Sequence, residues 1–110
     1  MDTINIPVLH DGGAARQVVK VDVLRTIRRN IAGKRFTFVV HRPHDGGFVN
    51  VLAEYRSGQK IADMSFGAQY IAAGRAPDIG DIARQKLDDI IARHGEEKTR
   101  AVIESADRMN

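Results

Sequence analysis

VDVLRTIRRNIAGKRFTFVVHR, residues 21–42, decides how this chain folds. Asp22 stands where a helix N-cap is expected, its carboxylate able to accept from the first free N–H groups. Val23, Leu24, Ile27 and Ile31 recur at helical spacing on one face. Gly33 sits at the left-handed position that ends many helices. The segment predicts a helix over 23–32, and KRFTFVVHR predicts a strand over 34–42.

Upstream, INIPVLH (4–10) and ARQVVKV (15–21) read as two strands joined by HDGG, since Asp-Gly between β-branched runs is a hairpin signal. The same tetrapeptide recurs at 44–47, after Pro43, and predicts a second turn. FVNVLAEYR (48–56) and QKIADMS (59–65), parted by Ser57-Gly58, complete a three-stranded meander. AQYIAAG (68–74) reads as one short helical turn and Arg75-Ala76-Pro77 as a linker. Asp78 then caps a helix over 79–94, with Ile79, Ile82, Ala83, Leu87, Ile90 and Ile91 as its apolar stripe. Arg84 with Asp88 and Asp89 with Arg93 are i,i+4 pairs on its outer side. Gly95 ends it, and Glu96 and Glu97 open a last helix whose buried side is Val102, Ile103, Ala106 and Met109. The expected order is β-β-α-β-β-β-α-α: a single α+β domain over 1–110, an antiparallel sheet with helices on one face.

The repeated HDGG poses a choice between chemistry and geometry. His10, Asp11, His41, His44 and Asp45 could supply imidazole and carboxylate to a metal, which needs three or four such groups converging. But His41 and His44 straddle Pro43 at a strand end, without the helical i,i+4 spacing that aims two histidines at one ion. The turn reading explains the Asp, both glycines and the flanking strands together, so no metal or cofactor is expected. Ser57, Ser65 and Ser105 lie in no nucleophile elbow. Glu54 alternates with apolar neighbours as an exposed strand residue does, and no phosphate-binding glycine motif is present. No enzyme is expected. The chain has no Cys, so disulfides and thiol chemistry are excluded. The absence of a signal-like start and of a long apolar run fits a cytoplasmic, non-membrane protein.

Charge distribution is the remaining lead. Residues 1–60 hold ten Lys/Arg against five Asp/Glu, and residues 61–110 hold seven against nine. Arg25, Arg28, Arg29, Lys34, Arg35 and Arg42 fall close together in sequence, and a surface made of them would displace counterions from a nucleic acid or another polyanion. KRFTFVV matches the RNA-binding strand pattern at Lys34, Phe36, Phe38 and Val39 only, and its alternate Phe residues read as core. The last helix mixes acids and bases in a balance unsuited to a groove-reading helix. A three-stranded sheet backed by a helix can also enter a major groove, with Arg35, Arg42, Arg56 and Lys60 as candidates. The second reading is a stand-alone accessory protein that inhibits or adapts a larger protein or nucleoprotein complex. It is similar only in style to the small proteins of phages and plasmids, anti-CRISPR inhibitors among them. An edge strand or the last helices would serve a homodimer.

Overall fold

The computed structural model describes residues 3–9, 16–65 and 78–110. Among the described residues five antiparallel strands are followed by two helices: β1 (Thr3–Leu9), β2 (Arg16–Ile31), β3 (Lys34–His41), β4 (Val51–Glu54), β5 (Lys60–Asp63), α1 (Ile79–His94) and α2 (Glu96–Ser105). The sheet order follows the chain, β1-β2-β3-β4-β5. The α+β class stands, but the expected element order does not. Residues 23–32 are not a helix; they belong to the second half of β2, a 16-residue strand, and to the turn after it. The expected helical turn at 68–74, the linker at 75–77 and the first HDGG lie outside the described residues.

The turn makes the strand. Ile31 pairs with Lys34, so the loop is Ala32-Gly33 alone, and both residues have positive φ (51° and 80°). That combination defines a two-residue hairpin whose twist matches the strands it joins. Gly33 has the left-handed conformation expected of it, but in a hairpin and not at a helix end. The stretch is rich in Val, Ile and Thr, which suit a pleated surface, and it meets a partner of the same kind in FTFVV.

One extra residue lets β2 serve two cores. The pairing shifts between Val23, opposite His41, and Arg25, opposite Val40, leaving Leu24 as a bulge. Because strand side chains alternate, one inserted residue exchanges the faces. Val19, Val21 and Val23 join Ile4, Ile6, Val39 and Ala53 in an outer core beneath β1. Beyond the bulge, Ile27 and Ile31 join Phe36, Phe38, Val40, Leu52 and Met64 in an inner core covered by Ile82, Ala83 and Leu87 of α1 and Ile103 of α2. Phe36 and Phe38 are thus core, as their alternation suggested.

Side-chain bonds tie the outer cover down. Gly58 has φ +67°, and a Cβ there would lie 2.3 Å from the Asn5 carbonyl oxygen, so the β4–β5 turn touches β1 backbone to backbone. The Asn110 amide donates to the carbonyls of Asn5 (2.9 Å) and Tyr55 (2.8 Å), and its oxygen accepts from the Asn5 N–H (2.9 Å). The edge of β1 is satisfied there by a side chain in place of another strand.

Both helices occupy the expected places. The Asp78 side chain accepts from Gly80 N–H (3.3 Å), and Gly95, at φ 84°, donates to the Ile91 carbonyl (2.8 Å). Two details differ. Val102 is 54% exposed, because α2 is rotated to bury Thr99 and Ile103. Arg84 bonds Asp81 (3.2 Å), leaving Asp88 for a partner outside the helix.

Candidate nucleic-acid interface

The alternation of β2 and β3 sorts the basic cluster onto two faces. Arg25 lies opposite Val40, Arg29 opposite Phe36, and Lys34 opposite Ile31, all on the inner, helix-covered face. There each finds a carboxylate: Arg25 with Asp78 at 3.5 Å, Arg29 with Asp88 at 2.6 Å, Lys34 with Glu104 at 3.5 Å. Lys34 also lies 5.4 Å from the centre of the Phe36 ring. A hydrogen bond from Arg100, aided by the charges of Arg100 and Lys34, holds the Glu104 carboxyl below the usual carboxylate range. Arg100 also donates to the Ala32 carbonyl (2.9 Å), fastening α2 to the hairpin tip.

The outer face is different. Arg28 lies opposite Thr37 and Asn30 opposite Arg35. Tyr55, the residue after β4, donates its N–H to the Thr37 carbonyl (2.9 Å) and extends the first of these rows past the end of that strand. Arg28, Asn30 and Arg35 are exposed, and none has a side-chain hydrogen bond or ion pair among the described residues. Direct cross-strand neighbours stand roughly 5 Å apart at Cβ and diagonal ones roughly 7–8 Å, so Arg28 and Arg35 form one small cationic patch. Among the described residues β1 reaches along β2 only to Asp22, opposite Thr3, and does not cover these rows.

The remaining candidates do not join the patch. Arg42 follows the last residue of β3, at the opposite end from Arg35, with its N–H bonded to the Asp22 carbonyl (3.0 Å). Arg56 donates to the Ile103 (2.9 Å) and Ala106 (2.7 Å) carbonyls and caps α2. Lys60 pairs with Asp63 at 2.8 Å.

The second HDGG is a turn. Gly46 N–H donates to the Pro43 carbonyl (3.3 Å), Gly47 N–H to the Asp45 carboxylate (2.9 Å), and Gly46 has φ 77°. His44 and Asp45 are exposed, whereas His41 is buried at the end of β3. Its Nδ1–H donates to the Arg42 carbonyl (2.7 Å), since a carbonyl can only accept. Burial pushes the His41 pKa down, opposed by that hydrogen bond and reinforced by the nearby His44. His10 and Asp11 lie outside the described residues, among which no three His, Asp or Glu side chains gather around a common point. Glu54 is not the exposed strand residue expected. It is 2% exposed, and its carboxylate accepts from the Arg56 and Ser57 N–H groups, which organises the β4–β5 turn.

A cleft of about 690 Å³ lies beside that turn, between β1 and the β3–β4 loop, with Ile6, Val8, His41 and Val51 among its walls. Phe48, at its rim, is fully exposed.

Sequence reasoning missed Asn30, Thr37 and Tyr55. The usable signal was the parity of 28 and 30 against 35 and 37 about a two-residue turn, which is visible only once residues 23–32 are read as a strand. Comparison with protein-family models, with curated proteins and with solved structures finds no match for this chain.

Proposed function

We propose that this protein is a small non-enzymatic binding module that contacts nucleic acid or another polyanion through the outer face of the β2–β3 hairpin. Arg28 and Arg35 supply the charge. The observation that carries the reading is the contrast in partners. Arg25, Arg29 and Lys34 each have a carboxylate, while these two stand exposed beside one another with no ion-pair partner among the described residues. Arg25, Arg29 and Lys34 then hold the helices in place, and Arg42 lies apart from the contact surface.

Fluorescence polarisation with labelled DNA and RNA, across a salt series, tests it. A polyanion contact loses affinity linearly in log–log form as salt rises, by about 0.9 per phosphate neutralised on duplex DNA. No binding to any of these at about 50 mM salt would overturn the proposal.

A second reading has its own observation. Phe48, fully exposed at the rim of a cleft walled by Ile6, Val8 and Val51, resembles an aromatic anchor of a protein interface. An accessory protein acting on a larger complex would use this end of the sheet. Its binding would persist at high salt and be lost in Phe48→Ala.

A further inference from the structure

We infer that the polyanion is duplex DNA, entered at its major groove by the β2–β3 hairpin outer face first, with Asn30 reading an adenine edge between Arg28 and Arg35. This rests on the cationic-face reading above and names its ligand.

Shape comes first. The major groove is about 12 Å wide and admits a two-stranded β-ribbon, whose strands lie roughly 4.8 Å apart. The bare stretch runs from Arg28 to the turn on one strand and from the turn to Thr37 on the other. Among the described residues the helices pack on the opposite face and β1 pairs with β2 no further than Thr3 opposite Asp22, so neither obstructs approach from outside. The turn itself is Ala32-Gly33, two of the smallest residues. Strand rise is about 3.3–3.4 Å per residue, close to the roughly 3.4 Å that DNA rises per base step along its axis, so Arg28 and Asn30 would lie about two base steps apart.

Chemistry comes second. The outward side chains are Arg28 and Thr37 in one row and Asn30 and Arg35 in the next. Asn pairs with adenine N6 and N7 through two hydrogen bonds, Thr meets the thymine methyl, and the two arginines hold the flanking phosphates. Asn30 keeps its whole amide free for this, being exposed and without a partner among the described residues.

Other nucleic acids fit less well. The major groove of A-form RNA is too narrow for side chains to read. Single strands are held by base stacking on exposed aromatic side chains. On this hairpin Phe36 and Phe38 are turned into the inner core, and Tyr55, half-buried, is the aromatic beside the patch among the described residues.

The experiment is selection from a pool of randomised DNA duplexes, followed by affinity measurements on the enriched sequence. The wild type should enrich an A·T pair at one position. Asn30→Ala, an exposed substitution, should lose the preference for adenine there by roughly 5- to 150-fold while keeping the salt slope. Arg28→Gln with Arg35→Gln should weaken all sequences and lower the slope by about 1.8. Salt-dependent binding with no base preference, a preference that survives Asn30→Ala, or tighter binding to RNA duplex or single strands would each overturn this inference and leave the cationic face standing. Absence of all nucleic-acid binding would remove both.

Discussion

The two faces of the β2–β3 hairpin take their cations from the same short run of sequence and use them differently. Arg28-Arg29 and Lys34-Arg35 are adjacent pairs, and a strand sends adjacent side chains to opposite faces. One member of each pair is bound to a helix carboxylate; the other is exposed and has no partner among the described residues. A basic cluster in sequence is therefore two populations in space, one structural and one available. Their worth differs accordingly. Exposed or half-exposed ion pairs contribute about 0–1 kcal/mol each, so the inner pairs orient helices whose stability comes from the apolar core beneath them.

The sharpest break between the faces should appear in stability. Phe38→Ala removes a fully buried inner-face ring and should cost about 3–5 kcal/mol in urea unfolding. Thr37→Ala, next to it on the outer face, should change stability by no more than about 0.5 kcal/mol. Equal costs would mean that the outer face is covered.

His41 probes the covered end of the outer face by pH. Its folded pKa lies below the ordinary 6.5, so the unfolded chain binds more protons as the solution becomes acidic. The contribution to stability is present in full above about 6.5 and is lost as pH falls through the folded pKa. Unfolding free energy measured from pH 8 to pH 5 should fall in the wild type, and less steeply in His41→Gln. An unchanged slope in the variant would show that His41 titrates as in the unfolded chain.

A smaller effect tests whether the two faces exist at all. Ala32 has φ 51°, which costs an L-residue roughly 1–2 kcal/mol relative to glycine's freedom. Ala32→Gly should therefore stabilise the protein by about 0.5–1 kcal/mol. Inside a helix the same change would destabilise by about 0.5–1 kcal/mol, so the sign of the shift separates strand from helix.

That ambiguity explains how far the sequence could be read. The ends of α1 were legible because Asp78 and Gly95 act within a few residues of themselves. β3 was legible from FTFVV. Residues 23–32 were not, because Ile27 and Ile31 are four apart, and four residues return a side chain to the same side of a helix and of a strand. Leu24, at the bulge, supplied the extra apolar position that made a helical stripe look complete. The sorting of the candidate site depends on Arg29 meeting Asp88 and Lys34 meeting Glu104, contacts across more than fifty residues that no local pattern encodes. Glu54 was misjudged for a related reason: its burial follows from turn amides behind it, which strand alternation does not reveal.

The most direct measurement compares two double variants on one labelled DNA duplex across a salt series: Arg28→Gln with Arg35→Gln, and Arg25→Gln with Arg29→Gln. The outer pair should weaken binding and flatten the log–log slope by about 1.8, with unchanged thermal stability, while the inner pair should keep the wild-type slope and lose a little stability. If the inner pair flattens the slope and the outer pair does not, the division of labour between the two faces is wrong.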